Sequence, residues 1–291
     1  VTLFNRGTHE NPFADEDRVE HVAGDRTNEA RLAAVAESVD PAYVFDVVAY
    51  HPADVAHATR VFEDVTAYVY VSSGAAYGEE TIPKREDETA IEPCTPEQAT
   101  DDSPATYGNR KAEGDREIAR AADRGVNAMS VRPPIVYGPH DYTERLDYWL
   151  HRIETHDRIL VPGDGTNLWQ RAYVEDVASG LRTVAERGTP GEWYNVGDRN
   201  AVTLDHMVAL AAEAMETDLE IVHAGDRELS IAGLDSTDFP LYREYPHLLA
   251  TNKLAALGWD STPPETAMAR TVADHIESDR DGIEQGPSRE A

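Results

Sequence analysis

The run Ala67-Tyr68-Val69-Tyr70-Val71-Ser72-Ser73-Gly74 decides how the rest of the chain is read. A short β-favouring apolar run, closed by two serines and a glycine, describes a buried strand ending in a turn. In open α/β sheets ligands bind beyond the carboxyl ends of the strands, which is where Ser73 falls. Working outward, apolar runs at 1–4, 19–23, 43–49 and 127–131 alternate with amphipathic stretches at about 28–38, 54–64 and 103–124. That alternation predicts an α/β fold with a doubly wound parallel sheet. Ser103-Pro104 marks the start of the longest helix and Gly125 its end. The acidic, proline-bearing stretch 79–102 reads as a loop crossing the open end of the sheet. The second half is less regular. Helices near 144–155, 175–186 and 204–215, with strands before Pro162 and at 193–196, describe a smaller C-terminal α+β region, and residues from about Ser278 read as polar and frayed.

The 291 residues carry 55 Asp+Glu against 26 Lys+Arg, a formal net charge of −29. Lys84, Lys111 and Lys253 are the only lysines. The acids are spread along the whole chain, so they predict a salt-adapted (halophilic) surface, where screening shortens self-repulsion, more than one localised partner patch. The same balance weighs against nucleic acid as a partner. No apolar run is long enough to cross a bilayer. Cys94 is the single cysteine, which excludes an internal disulfide and fits a reducing, cytoplasmic setting. The eleven histidines show no metal-ligand spacing, so no metal is expected.

Tyr107-Gly108-Asn109-Arg110-Lys111 spaces a phenol and an ammonium by four residues, one turn apart on a helix face. A tyrosine titrates near ~10, and a neighbouring ammonium favours its phenolate, bringing it toward acid/base use. The lysine keeps donors for a ribose hydroxyl, and a serine at a strand end can hold a substrate oxygen. Ser73, Tyr107 and Lys111 therefore form a candidate catalytic set.

Several stretches resemble the extended short-chain dehydrogenase/reductases, the NAD-dependent epimerase/dehydratase family. Val69-Tyr70-Val71-Ser72-Ser73-Gly74-Ala75-Ala76-Tyr77-Gly78 resembles that family's serine strand. Val131-Arg132-Pro133-Pro134-Ile135-Val136-Tyr137-Gly138-Pro139 resembles its cofactor loop, and Arg171-Ala172-Tyr173-Val174-Glu175-Asp176-Val177-Ala178 its entry to the substrate region. Tyr194-Asn195-Val196-Gly197 and Leu257-Gly258-Trp259 are later landmarks in the same order. The resemblance implies a Rossmann-like fold and a nicotinamide cofactor. It implies cofactor contacts at Arg6, Asp25, Ser72, Pro133, Pro134, Ile135 and Val136, with Arg171 facing the substrate. His140 follows a strand at the ligand end and is a second substrate candidate. The implied division is 1–135 plus about 172–198 for the dinucleotide, 136–171 plus 199–278 for the substrate, and a polar tail at 279–291.

The departures shape the expected reaction. Val1-Thr2-Leu3-Phe4 resembles the family's second strand, so a first strand and glycine-rich turn of roughly 25 to 30 residues are expected to be missing, leaving a slot in the sheet and weak cofactor binding. Asn5-Arg6 offers no carboxylate for a ribose, which favours NADP over NAD. Gly74-Ala75 stand where dehydratases of the family carry an Asp-Glu pair, so 4,6-dehydration is not expected. The atypical branch of the family is the better likeness. Expected is an NAD(P)-dependent epimerase or reductase acting on a sugar-nucleotide-like or other hydroxyl or ketone metabolite, with a homodimer left open. The alternative is a non-catalytic nucleotide- or RNA-binding member.

Overall fold

The computed structural model describes residues 1–9 and 11–288. Strands β1 (Thr2–Asn5) and β2 (Glu20–Ala23) pair in parallel only with each other. Helix α1 (Glu29–Val39) follows, with the Asn28 side chain accepting the Arg31 N–H as its cap. A second, fully parallel sheet runs in the order β3 (Tyr43–Asp46), β4 (Ala67–Val71), β5 (Ala128–Arg132), β9 (Trp193–Asn195). Helices α2 (Pro52–Val61) and α3 (Tyr107–Asp123) connect its strands, and Gly125 at φ +96° turns the chain out of α3.

Alternation along β4 makes the sheet doubly wound. Ala67 and Val69 face α5 (Val174–Arg187) through Val177, Leu181 and Val184, whereas Tyr68 and Tyr70 face α2 and α3 through Val55, Ala58 and Ile118. Among the described residues no strand pairing joins β1 to β3, and Tyr43, Phe45, Val47 and Val48 are exposed along that edge.

The C-terminal region has its own core. Helices α4 (Asp147–Thr155), α6 (Leu204–Ala214) and α9 (Pro264–Ile276) pack around Trp149, Met207 and Val272, beside the parallel pair β7 (Arg158–Pro162) and β10 (Glu220–Ala224). A further pair, β6 (Ile135–Tyr137) with β8 (Arg171–Tyr173), and the short helix α7 (Asp226–Ile231) complete it, while the short helix α8 (Asn252–Ala256) packs on β9 and α5 through Leu254. These short elements carry too few residues for a period to show in sequence.

The tail departs from expectation over its described part. Gly282 N–H donates to Glu144 at 3.1 Å, and the Pro287 carbonyl accepts from Tyr148 at 3.3 Å and Arg152 at 2.5 Å. Polar composition reads as frayed, yet these backbone groups find partners on α4 and on Glu144 just before it. Residues 289–291 of that expected tail lie outside the described residues. No described helix is long and apolar enough to cross a membrane.

Candidate active site

Ser73 follows the end of β4 by two residues, and its Oγ accepts the Ala75 N–H at 3.1 Å and caps the turn Gly74–Ala76. Tyr107 opens α3 directly above that turn. The close approach depends on Gly108, where a Cβ would lie 2.4 Å from the Ala75 carbonyl oxygen. One turn on, the Lys111 ammonium donates to Ala49 O at 2.9 Å and Val71 O at 2.8 Å. It also lies over the rings of Tyr70, Tyr50 and Tyr107, at 4.9, 5.3 and 5.8 Å from their centroids. Two of its three protons are thus engaged, leaving one for a ligand hydroxyl.

Burial pulls the Lys111 pKa down to about 8, opposed by the carboxylates of Asp46 and Asp115. Burial raises Tyr107, opposed first by the Ser73 hydroxyl and then by Arg110 and Arg145. The expectation that Lys111 makes Tyr107 more acidic is not what this geometry provides. The ammonium is absorbed by two carbonyls and by aromatic faces, and the pull on the phenol comes from Ser73 and two arginines. Tyr107 rests as the neutral phenol, the form that donates a proton.

Beneath these groups lies a buried polar knot. Asp115, a turn beyond Lys111, accepts from Ser72 Oγ at 3.0 Å, Ser130 Oγ at 2.7 Å and Arg132 Nε at 2.8 Å, with Arg132 Nη2 at 2.7 Å. Both ion-pair partners are fully buried. The Arg132 guanidinium is further sandwiched against Tyr77 and Trp193, at 4.7 and 4.6 Å. The knot ties α3 to β4 and β5 and so fixes the spacing of Ser73 to Tyr107 and Lys111.

Two cavities meet at this point. One, about 730 Å³, is walled by Ser73, Tyr107, Lys111, Pro133–Val136, His140 and His247. The other, about 1150 Å³, runs past Asn5, Arg6, Asp25 and Arg110 under the gap between the sheets. Tyr50, Tyr107 and Tyr142 line both, so together they form one elongated cleft.

The expected site residues divide accordingly. Pro133, Pro134, Ile135 and Val136 line the first cavity beside Tyr107, and Arg6 and Asp25 line the second. The Asp25 carboxylate is already engaged by the Thr27 N–H at 2.9 Å and hydroxyl at 2.8 Å, which holds its pKa low. His140 reaches the cavity rim at φ +63°, its N–H held by Asp274 at 3.0 Å. Ser72 lines the first cavity as well, with its hydroxyl donated inward to Asp115 at 3.0 Å. One residue needs correction. Arg171 is buried beside Tyr137 and Asp198, donates to Val202 O at 2.8 Å and lies outside both cavities.

Sequence reasoning missed Tyr50, Tyr142, Arg145, Trp169, Arg243 and His247, which also line the first cavity. Only Tyr142 and Arg145 had a signal, their closeness to Gly138-Pro139-His140. Asp115 had a clearer one, since it continues the spacing of Tyr107 and Lys111 by four more residues.

The profile of the NAD dependent epimerase/dehydratase family matches residues 1–197. The chain belongs to that family. Among similar curated proteins, the Arabidopsis thaliana chloroplast stem-loop binding protein of 41 kDa b is 25% identical over 300 residues, covering 96% of this chain and 72% of that protein. A dTDP-D-glucose 4,6-dehydratase of Mus musculus is 23% identical over 211 residues, covering 72% of this chain and 55% of that enzyme. The match thus spans about half the length of that family member. Solved structures share the Rossmann fold. UDP-glucose 4-epimerase of Thermotoga maritima with UDP-glucose has a TM-score of 0.73 at 17% identity, covering 95% of this chain and 90% of that one. dTDP-glucose 4,6-dehydratase of Bacillus anthracis in complex with NAD has a TM-score of 0.72 at 18% identity, covering 98% and 89%.

Proposed function

We propose that the chain is a nicotinamide-dependent epimerase or reductase of a sugar nucleotide or a similar hydroxyl-bearing metabolite. The observation that carries this reading is the convergence of Ser73, Tyr107 and Lys111 on one end of a cleft long enough for a dinucleotide and a substrate. Residues 1–135 with 172–198 are read as the dinucleotide part and 136–171 with 199–278 as the substrate part.

The residues present fit the two ends of the cofactor. Lys111 has one proton left for a ribose hydroxyl, Pro133–Val136 wall the nicotinamide side, and Arg6 stands at the opposite end. A glycine-rich turn for the pyrophosphate is not found among the described residues. When bound, the nicotinamide would accept or supply a hydride at carbon. Ser73 holds the substrate oxygen, and Tyr107, as the neutral phenol, gives it a proton or takes one back from it. Arg110 and Arg145 favour the phenolate left behind. Arg6 supports NADP over NAD, because a guanidinium there would meet a 2′-phosphate and Asn5-Arg6 brings no carboxylate for the ribose hydroxyl.

A second reading, a stem-loop RNA-binding protein, is favoured by the plant relative's name and its match over 96% of this chain. The −29 charge and the intact hydroxyl–phenol–ammonium set weigh against it. Titration with NAD, NADP and a stem-loop RNA at the same high salt separates the two. Dinucleotide binding with turnover of UDP-glucose or dTDP-glucose is expected; RNA binding without dinucleotide binding would replace the enzyme reading.

A further inference from the structure

Gly74 directly follows the site serine, and the space its missing side chain leaves is filled by the ring of His247. A Cβ on Gly74 would lie 2.8 Å from His247 Nε2 and 3.2 Å from a Leu249 methyl carbon. His247 arrives from far along the chain and is fixed by its backbone: its N–H donates to Leu168 O at 2.9 Å and its carbonyl accepts from Gln170 N–H at 3.0 Å. The residue is 4% exposed, yet its ring walls the same cavity as Ser73 and Tyr107. Its Nδ1 is buried with no hydrogen-bond partner among the described residues.

The surroundings keep this ring neutral. Burial, with Arg243 and Lys84 nearby, pushes its pKa down to about 4, and Glu80 alone opposes them. The two cations are themselves occupied by Glu80, at 2.9 Å from Lys84 and 2.8 Å from Arg243. A neutral imidazole carries one N–H donor and one acceptor nitrogen. A leucine would fill the wall without a polar atom to satisfy, and buried polar atoms are rarely left unpaired. The imidazole is accounted for by a ligand that pairs with it.

We propose that His247 is a substrate-contacting residue that exchanges a hydrogen bond with a sugar hydroxyl beside the oxygen held by Ser73. This rests on the sugar-nucleotide reading above. On that reading the chain fills the place of a side chain after the serine from its C-terminal region, and selects substrates through a neutral group in place of a carboxylate.

The test is calorimetric binding of UDP-glucose and dTDP-glucose, with and without NAD, to the wild type, His247→Leu and His247→Gln, with thermal unfolding of each. Expected is about tenfold weaker binding by His247→Leu. His247→Gln should recover part of that loss, and Tm of His247→Leu should be unchanged or higher. Equal binding by wild type and His247→Leu would overturn the role of His247 alone. Weaker binding that tracks a fall in Tm in both His247 variants would assign the residue to packing and also overturn it. A wild type that binds neither sugar nucleotide would overturn the substrate reading, and with it the contact.

Discussion

Strands β4 and β5, with α3 across them, and the pair β1–β2 stand on opposite sides of the cleft and are held by different means. All ten positions of β4 and β5 except Val71 are buried. The Asp115–Arg132 knot then pins α3 to both strands. No residue of β1 or β2 is fully buried, and among the described residues the two strands pair only with each other. A two-stranded sheet alone is marginal in water. The groups proposed to handle the proton thus sit on the over-determined side, while the far end of the proposed dinucleotide cleft rests on the loosely held side.

The largest effect should come from breaking the knot. Asp115→Ala leaves Arg132 buried and unpaired, so stability should fall by about 3–5 kcal/mol in denaturant titration. Phe4→Ala on the other side removes a half-buried ring and should cost less, about 1–2 kcal/mol. Equal costs would erase the contrast. Hydrogen exchange offers the same comparison without mutation, with β1–β2 amides exchanging well before those of β4 and β5.

Lys111→Met should weaken dinucleotide binding by about tenfold or more, since it removes the remaining donor and leaves the Ala49 and Val71 carbonyls unpaired. Its pH dependence carries a sign worth testing. With the folded pKa near 8, dinucleotide affinity should fall as pH rises through about 8. The group's contribution to stability runs the other way. Its folded pKa lies below the unfolded value of about 10.4, so the unfolded chain binds more protons between the two and stability rises with pH across that window. Parallel loss of affinity and stability there would contradict the assignment. The smallest effect should be at Arg6. Arg6→Ala should lower NADP affinity several-fold and leave NAD affinity within about twofold.

The contrast also explains what was legible in the sequence. β4 reads directly because every position is apolar or β-favouring, and Tyr107–Lys111 reads because both members lie within one turn of one helix. The expected strand at 43–49 stops at Asp46, whose carboxylate serves Arg26 and the Tyr68 hydroxyl. His247, Arg243 and Trp169 carry no local pattern, because only the tertiary fold brings them to a turn far upstream in the chain. Arg171 departs for the opposite reason. Its motif position matched, but its burial outside both cavities was not visible in a string of letters.

On the proposed reading Tyr107 handles the proton in a nicotinamide-dependent reaction. The most direct test of that role is Tyr107→Phe, assayed for dinucleotide binding by titration and for turnover of UDP-glucose or dTDP-glucose. Turnover should fall by about 10² to 10⁴-fold while binding stays within about twofold. Turnover equal to wild type would contradict the role given to Tyr107.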